Sequence, residues 1–272
     1  MILGRRARWL LGIAVAIGLA FIYVPLSVVI INSFNASKVF SWPPSHWTLR
    51  WWSAALDNDG VRAALATSVK AGLGATLIAI VLGTALSFAL VRYDFFGRNT
   101  INFLVVLPIS LPGIVTGIAL NTSFTTVLKP FGISLGLFTV VLGHATFCMV
   151  VVFNNVSARL RRTGMSLEEA SSDLGASMFQ TFRYVTLPHL RSALVAGALL
   201  AFALSFDEIV VTTFTSGAGV QTLPQWIFNN LFRPNQGPIV NAVAALLLLA
   251  FVGPVWLAER MSGTESRGAG RL

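Results

Sequence analysis

Six stretches of the chain are apolar for about twenty positions or more, at 9–31, 63–91, 101–120, 133–153, 192–216 and 239–257. Polar or glycine- and proline-punctuated segments separate them. The first stretch is about 34 Å long as a helix at 1.5 Å per residue, enough to span a bilayer. It is too long for a signal-peptide core, and no small-residue cleavage site follows it. The pattern predicts an all-α integral membrane protein, a single transmembrane domain over 1–272 with six transmembrane helices. Within the third stretch, Pro108 and Pro112 free backbone carbonyls and predict a kinked helix. Gly113 and Gly117 beside them have the small-xxx-small spacing that lets membrane helices approach closely. Lys70, in the second stretch, is placed to snorkel to the interface.

Between the fourth and fifth stretches lies a polar loop, 156–191, whose amphipathic centre occupies 166–188. Its punctuation predicts two short helices. Ser166 with Glu169 and Ser177 with Gln180 have capping-box spacing, and Gly175 between them suits a left-handed stop. Pro188 should end the second helix, because a proline pushes the residue before it out of the helical region. Leu167, Ala170, Leu174, Met178, Phe182 and Val185 recur at helical spacing and give the insert an apolar face. Such a platform in a chain otherwise built for lipid predicts a docking surface. A bare interfacial hairpin, in which Glu169 merely caps a helix, is the plainer alternative.

Glu169-Ala170-Ser171, Gly175 six residues after Glu169, and Leu187-Pro188 a further twelve on resemble the "EAA" loop of ABC importer permeases. Ser171 stands where that family usually has alanine, and Val185 where it usually has isoleucine. The resemblance covers nearly the whole chain. It implies a type I ABC importer permease fold with cytoplasmic coupling helices, in which Glu169, Ala170, Ser171, Gly175, Leu187 and Pro188 couple to an ATPase. It implies two ATPase subunits that bind ATP and Mg, a second and homologous permease subunit, and an extracytoplasmic solute-binding protein. No Gly-x4-Gly-Lys-Ser/Thr phosphate loop occurs in this chain. The chain is therefore expected to be no enzyme and to hold no cofactor of its own.

Composition agrees with the hydropathy pattern. Of 272 residues, 55% are hydrophobic and 11% charged, with a mean hydropathy of +0.77; these values belong to membrane proteins. The net charge of +9 does not point to nucleic acid, because the basic residues fall in short clusters between apolar runs. Thirteen of the nineteen Lys and Arg (5, 6, 8, 92, 98, 159, 161, 162, 183, 191, 260, 267 and 271) lie on one face of a six-span topology. The positive-inside rule makes that face cytoplasmic, with both termini on it, and the resemblance implies a bacterial inner membrane. Trp42, Trp47, Trp51 and Trp52, in the outer segment after the first span, suit the headgroup level. The single cysteine, Cys148, excludes an internal disulfide and reads as a small hydrophobe. His144 is expected to be hydrogen-bonded inside the bundle, and no metal site is expected. Gly132-Ile-Ser134-Leu-Gly136 matches the nucleophile elbow by letter only, with no strand and no triad to support it.

The fifth stretch carries Asp207 and Glu208. Two adjacent carboxylates in a spanning helix are costly, by about 2.5–3.5 kcal/mol each at its centre. Such groups face a cavity or a partner and mark a pathway; the plainer reading is a pair of salt-bridged packing residues. Counted as helix from Ser192, Asp207 lies about 24 Å along, toward the outer half. The run from Ser205 to Phe214 resembles the acidic fifth-span segment of spermidine/putrescine permeases, with Glu208 where a second Asp is usual. The charge logic is independent of that resemblance: an elongated diamine losing hydration needs fixed negative charge on its route. The expected function is a permease subunit of an ATP-driven importer of polyamines. The alternatives are an importer permease for another small solute, such as an amino acid or organophosphonate, and a channel or proton-coupled carrier. An intramembrane hydrolase is a remote reading, because no nucleophile–base pair is present.

Overall fold

The computed structural model describes residues 4–38, 42–44 and 46–251. Their regular structure is helical; the one strand-like feature among them is an isolated bridge between Asn35 and Trp47. The chain divides into two units, 1–62 with 227–272, and 63–226.

In the first unit, α1 (Arg5–Ser33) is long and apolar enough to cross a bilayer, and none of its apolar window is buried. Its surface therefore suits lipid or a partner. After α1 the chain folds back. The Trp51 indole donates to the Asn35 carbonyl (2.8 Å) and Trp52 stacks on Phe34 at 5.0 Å, both tryptophans belonging to α2 (Arg50–Leu56). Only Trp42 and Trp47 of the four expected at the headgroups are exposed; Trp51 is buried, because its N–H has found a protein acceptor. The end of the sixth expected span and the basic positions 260, 267 and 271 lie outside the described residues. Its described part is an apolar helix, Gly237–Phe251.

The second unit is built around the buried helix α6 (Leu137–Thr163). α3 (Asp59–Arg92), which begins in the first unit, packs on it together with α9 (Leu187–Phe206) and α10 (Val210–Thr215). Ala75, Ala79, Cys148, Val152, Val156, Leu160, Leu190 and Ala201 form the seam. Small residues set its closeness. A Cβ on Gly83 would stand 2.8 Å from the Met149 carbonyl oxygen, so the α3 and α6 backbones touch there. Ser87 fastens the contact, its hydroxyl lying 2.7 Å from the Gly83 carbonyl and 3.1 Å from that of Phe153. Because the obstacle is backbone, Gly83→Val cannot be relieved by a rotamer change. It should destabilise the detergent-purified protein by about 1–3 kcal/mol, read as a lowered thermal midpoint.

Two expected spans are broken, the third where its prolines predict a kink and the fifth where the pattern predicts a continuous helix. The third divides into α4 (Arg98–Ser110) and α5 (Gly113–Ser123), and the segments bend by 108°. The break lies at Leu111, which is extended because Pro112 follows it; Pro108 stays inside α4. The fifth breaks between Phe206 and Val210, where α9 ends and α10 begins. Among the described residues, four helices are long and apolar enough to cross a membrane, and the bent pair would make a fifth.

Candidate functional site

The polar hairpin begins at Gly164, whose φ of +62° turns the chain out of α6. α7 (Ser166–Asp173) follows, but its N-cap is Met165 and no side chain caps it. The expected box between Ser166 and Glu169 does not form: the amides of Glu168 and Glu169 both donate to the Met165 carbonyl. The stop at Gly175 does form. Its φ is +82°, its amide donates to Ser172 (2.9 Å), and the next amide, of Ala176, donates to Ser171 (3.1 Å). That pairing is a Schellman motif, which satisfies the last carbonyls of α7. Ser177 and Gln180 make the second capping box and start α8 (Met178–Thr181).

Pro188 does not stop the next helix. Residues Phe182–Thr186 form a π-turn, and the path continues helically from Met178 to Phe206. A proline removes one i→i−4 donor and its ring crowds the preceding turn; the wider π geometry absorbs both. Leu187 and Pro188 thus lie at the root of the fifth span. Ser171 hydrogen-bonds Thr181 across the hairpin at 3.0 Å, a contact alanine would lack.

The two neighbouring acids of α7 differ. Glu169 is exposed, as is Ala170, and has no ion-pair partner among the described residues. Glu168 is half-buried: Arg92, at the end of α3, reaches it at 3.1 Å and Thr186 donates to it at 3.1 Å. Sequence reasoning passed over Arg92 and Glu168. Their partners are 76 residues apart, and no local pattern joins them. Leu174, Met178, Phe179 and Tyr184 remain exposed on the same hairpin. A cavity of about 680 Å³ opens beside them, lined by Phe88, Tyr93, Glu168, Met178, Phe179 and Phe182 among others.

The second locus is the break in the fifth span. Asp207 caps α9 and is exposed, its carboxylate without a partner among the described residues. Glu208 is half-buried, and its carboxylate accepts the Val211 amide at 2.9 Å, satisfying an orphan donor at the start of α10. His144 of α6 is fully buried and joins the two sides of the break. Its Nδ1 lies 2.8 Å from the Ser205 hydroxyl and its Nε2 lies 2.9 Å from that of Thr212. Thr212 spends its own proton on the Glu208 carbonyl (2.7 Å), so Nε2 donates to Thr212 and Nδ1 accepts from Ser205. On its outer side α10 packs against α5. The Phe214 carbonyl accepts from Asn121 (2.6 Å), and a Cβ on Gly117 would meet the Phe214 ring at 2.5 Å. The glycine pair of the third stretch is thus a packing device toward the acidic segment. His144→Leu strips the partner from two hydroxyls around the break and should cost about 1–3 kcal/mol of stability, again read as a lowered thermal midpoint.

Membrane-length helices, an exposed hairpin between two of them and carboxylates at a broken span describe a transport component. The chain belongs to the family of binding-protein-dependent transport system inner membrane components, which matches residues 75–258. It is 36% identical over 247 residues to the putrescine transport system permease protein PotI of Escherichia coli (strain K12), covering 89% of this chain and 86% of that one. It is 32% identical over 252 residues to the spermidine/putrescine transport system permease protein PotC of Shigella flexneri, covering 92% and 93%. Its fold is that of a chain in the crystal structure of a bacterial ABC transporter involved in the import of the acidic polysaccharide alginate. That match has a TM-score of 0.68 at 16% identity and covers 97% of this chain and 99% of the other. The protein is therefore a multi-pass membrane permease component of a binding-protein-dependent transport system.

Proposed function

We propose that this chain is the permease subunit of an ATP-driven importer of polyamines, putrescine- or spermidine-like cations. Asp207 and Glu208 lie along the cation route, and Glu169, Ala170, Ser171, Gly175, Leu187 and Pro188 form or root the hairpin that receives the ATPase. Two nucleotide-binding subunits, carrying ATP and Mg, a second permease subunit and an extracytoplasmic solute-binding protein complete the machine. Both termini and the hairpin face the cytoplasm, and residues 1–272 act as one permease domain. ATP-driven closure of the ATPases pushes on the hairpin and shifts the spans between inward- and outward-facing states.

One observation carries the substrate reading. In a chain 36% identical to a putrescine permease, an exposed carboxylate with no counter-charge among the described residues sits at a break in a membrane-spanning segment. An anionic cargo would be repelled there, and a neutral one would draw no benefit from it.

The test is reconstitution of the complete transporter in vesicles. ATP-dependent putrescine accumulation that survives collapse of the proton gradient is expected, with the ATPase co-purifying. Uptake that needs the gradient and no ATPase would overturn the reading in favour of a proton-coupled carrier.

A further inference from the structure

The geometry points to Arg92 and Glu168 as the brace that carries hairpin displacement into the membrane helices, an inference resting on the ATP-driven reading above. A single guanidinium nitrogen of Arg92 serves two elements at once. It donates to the Gly164 carbonyl at 2.7 Å, where α6 turns into the hairpin, and to the Glu168 carboxylate of α7 at 3.1 Å. The same carboxylate oxygen also accepts from Thr186 at 3.1 Å, at the root of α9. Four elements therefore meet at one ion pair: the ends of α3 and α6, the first turn of α7 and the π-turn before α9. The pair is sheltered, with side chains 8% and 21% exposed. Low exposure strengthens it and makes its rupture costly, since a lone partner is left desolvated. The Arg92 Nε is buried and has no acceptor among the described residues, so the two bonds of the terminal nitrogen are the hydrogen bonds that position the side chain.

The neighbouring acid behaves differently. Glu169 points no charge at any described basic residue and lies in the open. The adjacent acids thus divide the work: Glu168 ties the hairpin to its own bundle and Glu169 is free for a partner. Arg92 and Glu168 are positioning residues that act through the helices they join.

The experiment uses the complete transporter in vesicles, with Arg92→Ala, Glu168→Gln and the exchange Arg92→Glu/Glu168→Arg. Cargo imported per ATP hydrolysed is expected to fall about tenfold in the single variants, within the usual range of coupling between sites. Amide hydrogen exchange over 164–176 should accelerate in the same variants. The exchange variant should recover both readouts in part, because glutamate at 92 restores the ion pair but cannot donate to the Gly164 carbonyl. An unchanged import ratio in both single variants overturns the inference, as does faster amide exchange with an intact ratio. Loss of both readouts in the exchange variant equal to that in the singles also overturns it, since the pair would then not be the acting unit. Failure of the wild-type chain to bind or be driven by an ATPase is a separate result, seen in the control, and removes the ATP-driven reading first.

Discussion

Putrescine uptake by the Asp207→Asn variant is expected to fall about ten- to a hundredfold, mainly through weaker capture of the cation. Hydrogen bonds to charged groups contribute about 1.5–3 kcal/mol net, and 1.4 kcal/mol is one decade in affinity. The amide keeps the size and the capping position of Asp207 at the end of α9 and removes only the charge. Glu208→Gln should do less. Part of the Glu208 carboxylate is already engaged by the Val211 amide, and glutamine can still accept that bond. Glu208→Ala removes charge and cap together and should lower both uptake and the thermal midpoint. The expected order of uptake is wild type, Glu208→Gln, then Asp207→Asn, measured as initial rates against putrescine concentration. Asp207→Asn with wild-type uptake across that range would contradict a cationic route at this break and favour importers of other solutes.

The break itself was hidden in the sequence. No glycine or proline lies between Phe206 and Val210, and the apolar pattern reads straight through. What holds the chain open is largely tertiary: His144 bonds Ser205 on one side and Thr212 on the other, while Glu208 adds a local cap to the new helix. A histidine sixty-one residues before Ser205 gives no local signal of such a role. The third span shows the opposite case. Its prolines announce a disturbance, but only Pro112 breaks the helix; Pro108 is tolerated within α4. The hairpin was legible where its devices are local. Gly175 and the Ser177–Gln180 box depend on neighbours within four residues, and both form. Pro188 misled because the cost of a proline inside a helix can be met by widening one turn, and sequence does not announce a π-turn. Ser166 lost the cap position to Met165, and the acid drawn into the fold was Glu168, by a guanidinium far away in sequence.

A graded series at Gly175 should uncouple hydrolysis from import without unfolding the protein. The residue sits at φ +82°, and a Cβ placed there meets nothing within 4 Å. Space is therefore not at issue; the whole cost is backbone, about 1–2 kcal/mol for a residue with a Cβ in the left-handed region. Asparagine tolerates that region better than alanine, and valine tolerates it worst. A residue that abandons the conformation loses the amide bonds to Ser172 and Ser171, and with them the alignment that lets Ser171 meet Thr181. The turn at Gly175 is exposed and apart from the buried seam, so the fold should persist, with thermal midpoints lowered by a few degrees at most. Import per ATP should decline in the order Gly, Asn, Ala, Val, reaching about a tenfold loss at valine. Glu169→Ala supplies the complementary measurement. That side chain has no ion-pair partner among the described residues, so its loss should leave the isolated chain as stable as before and weaken only the hold on the ATPase. Undiminished import in Gly175→Val, with ATPase still retained by Glu169→Ala, would mean that force enters this bundle by some other route.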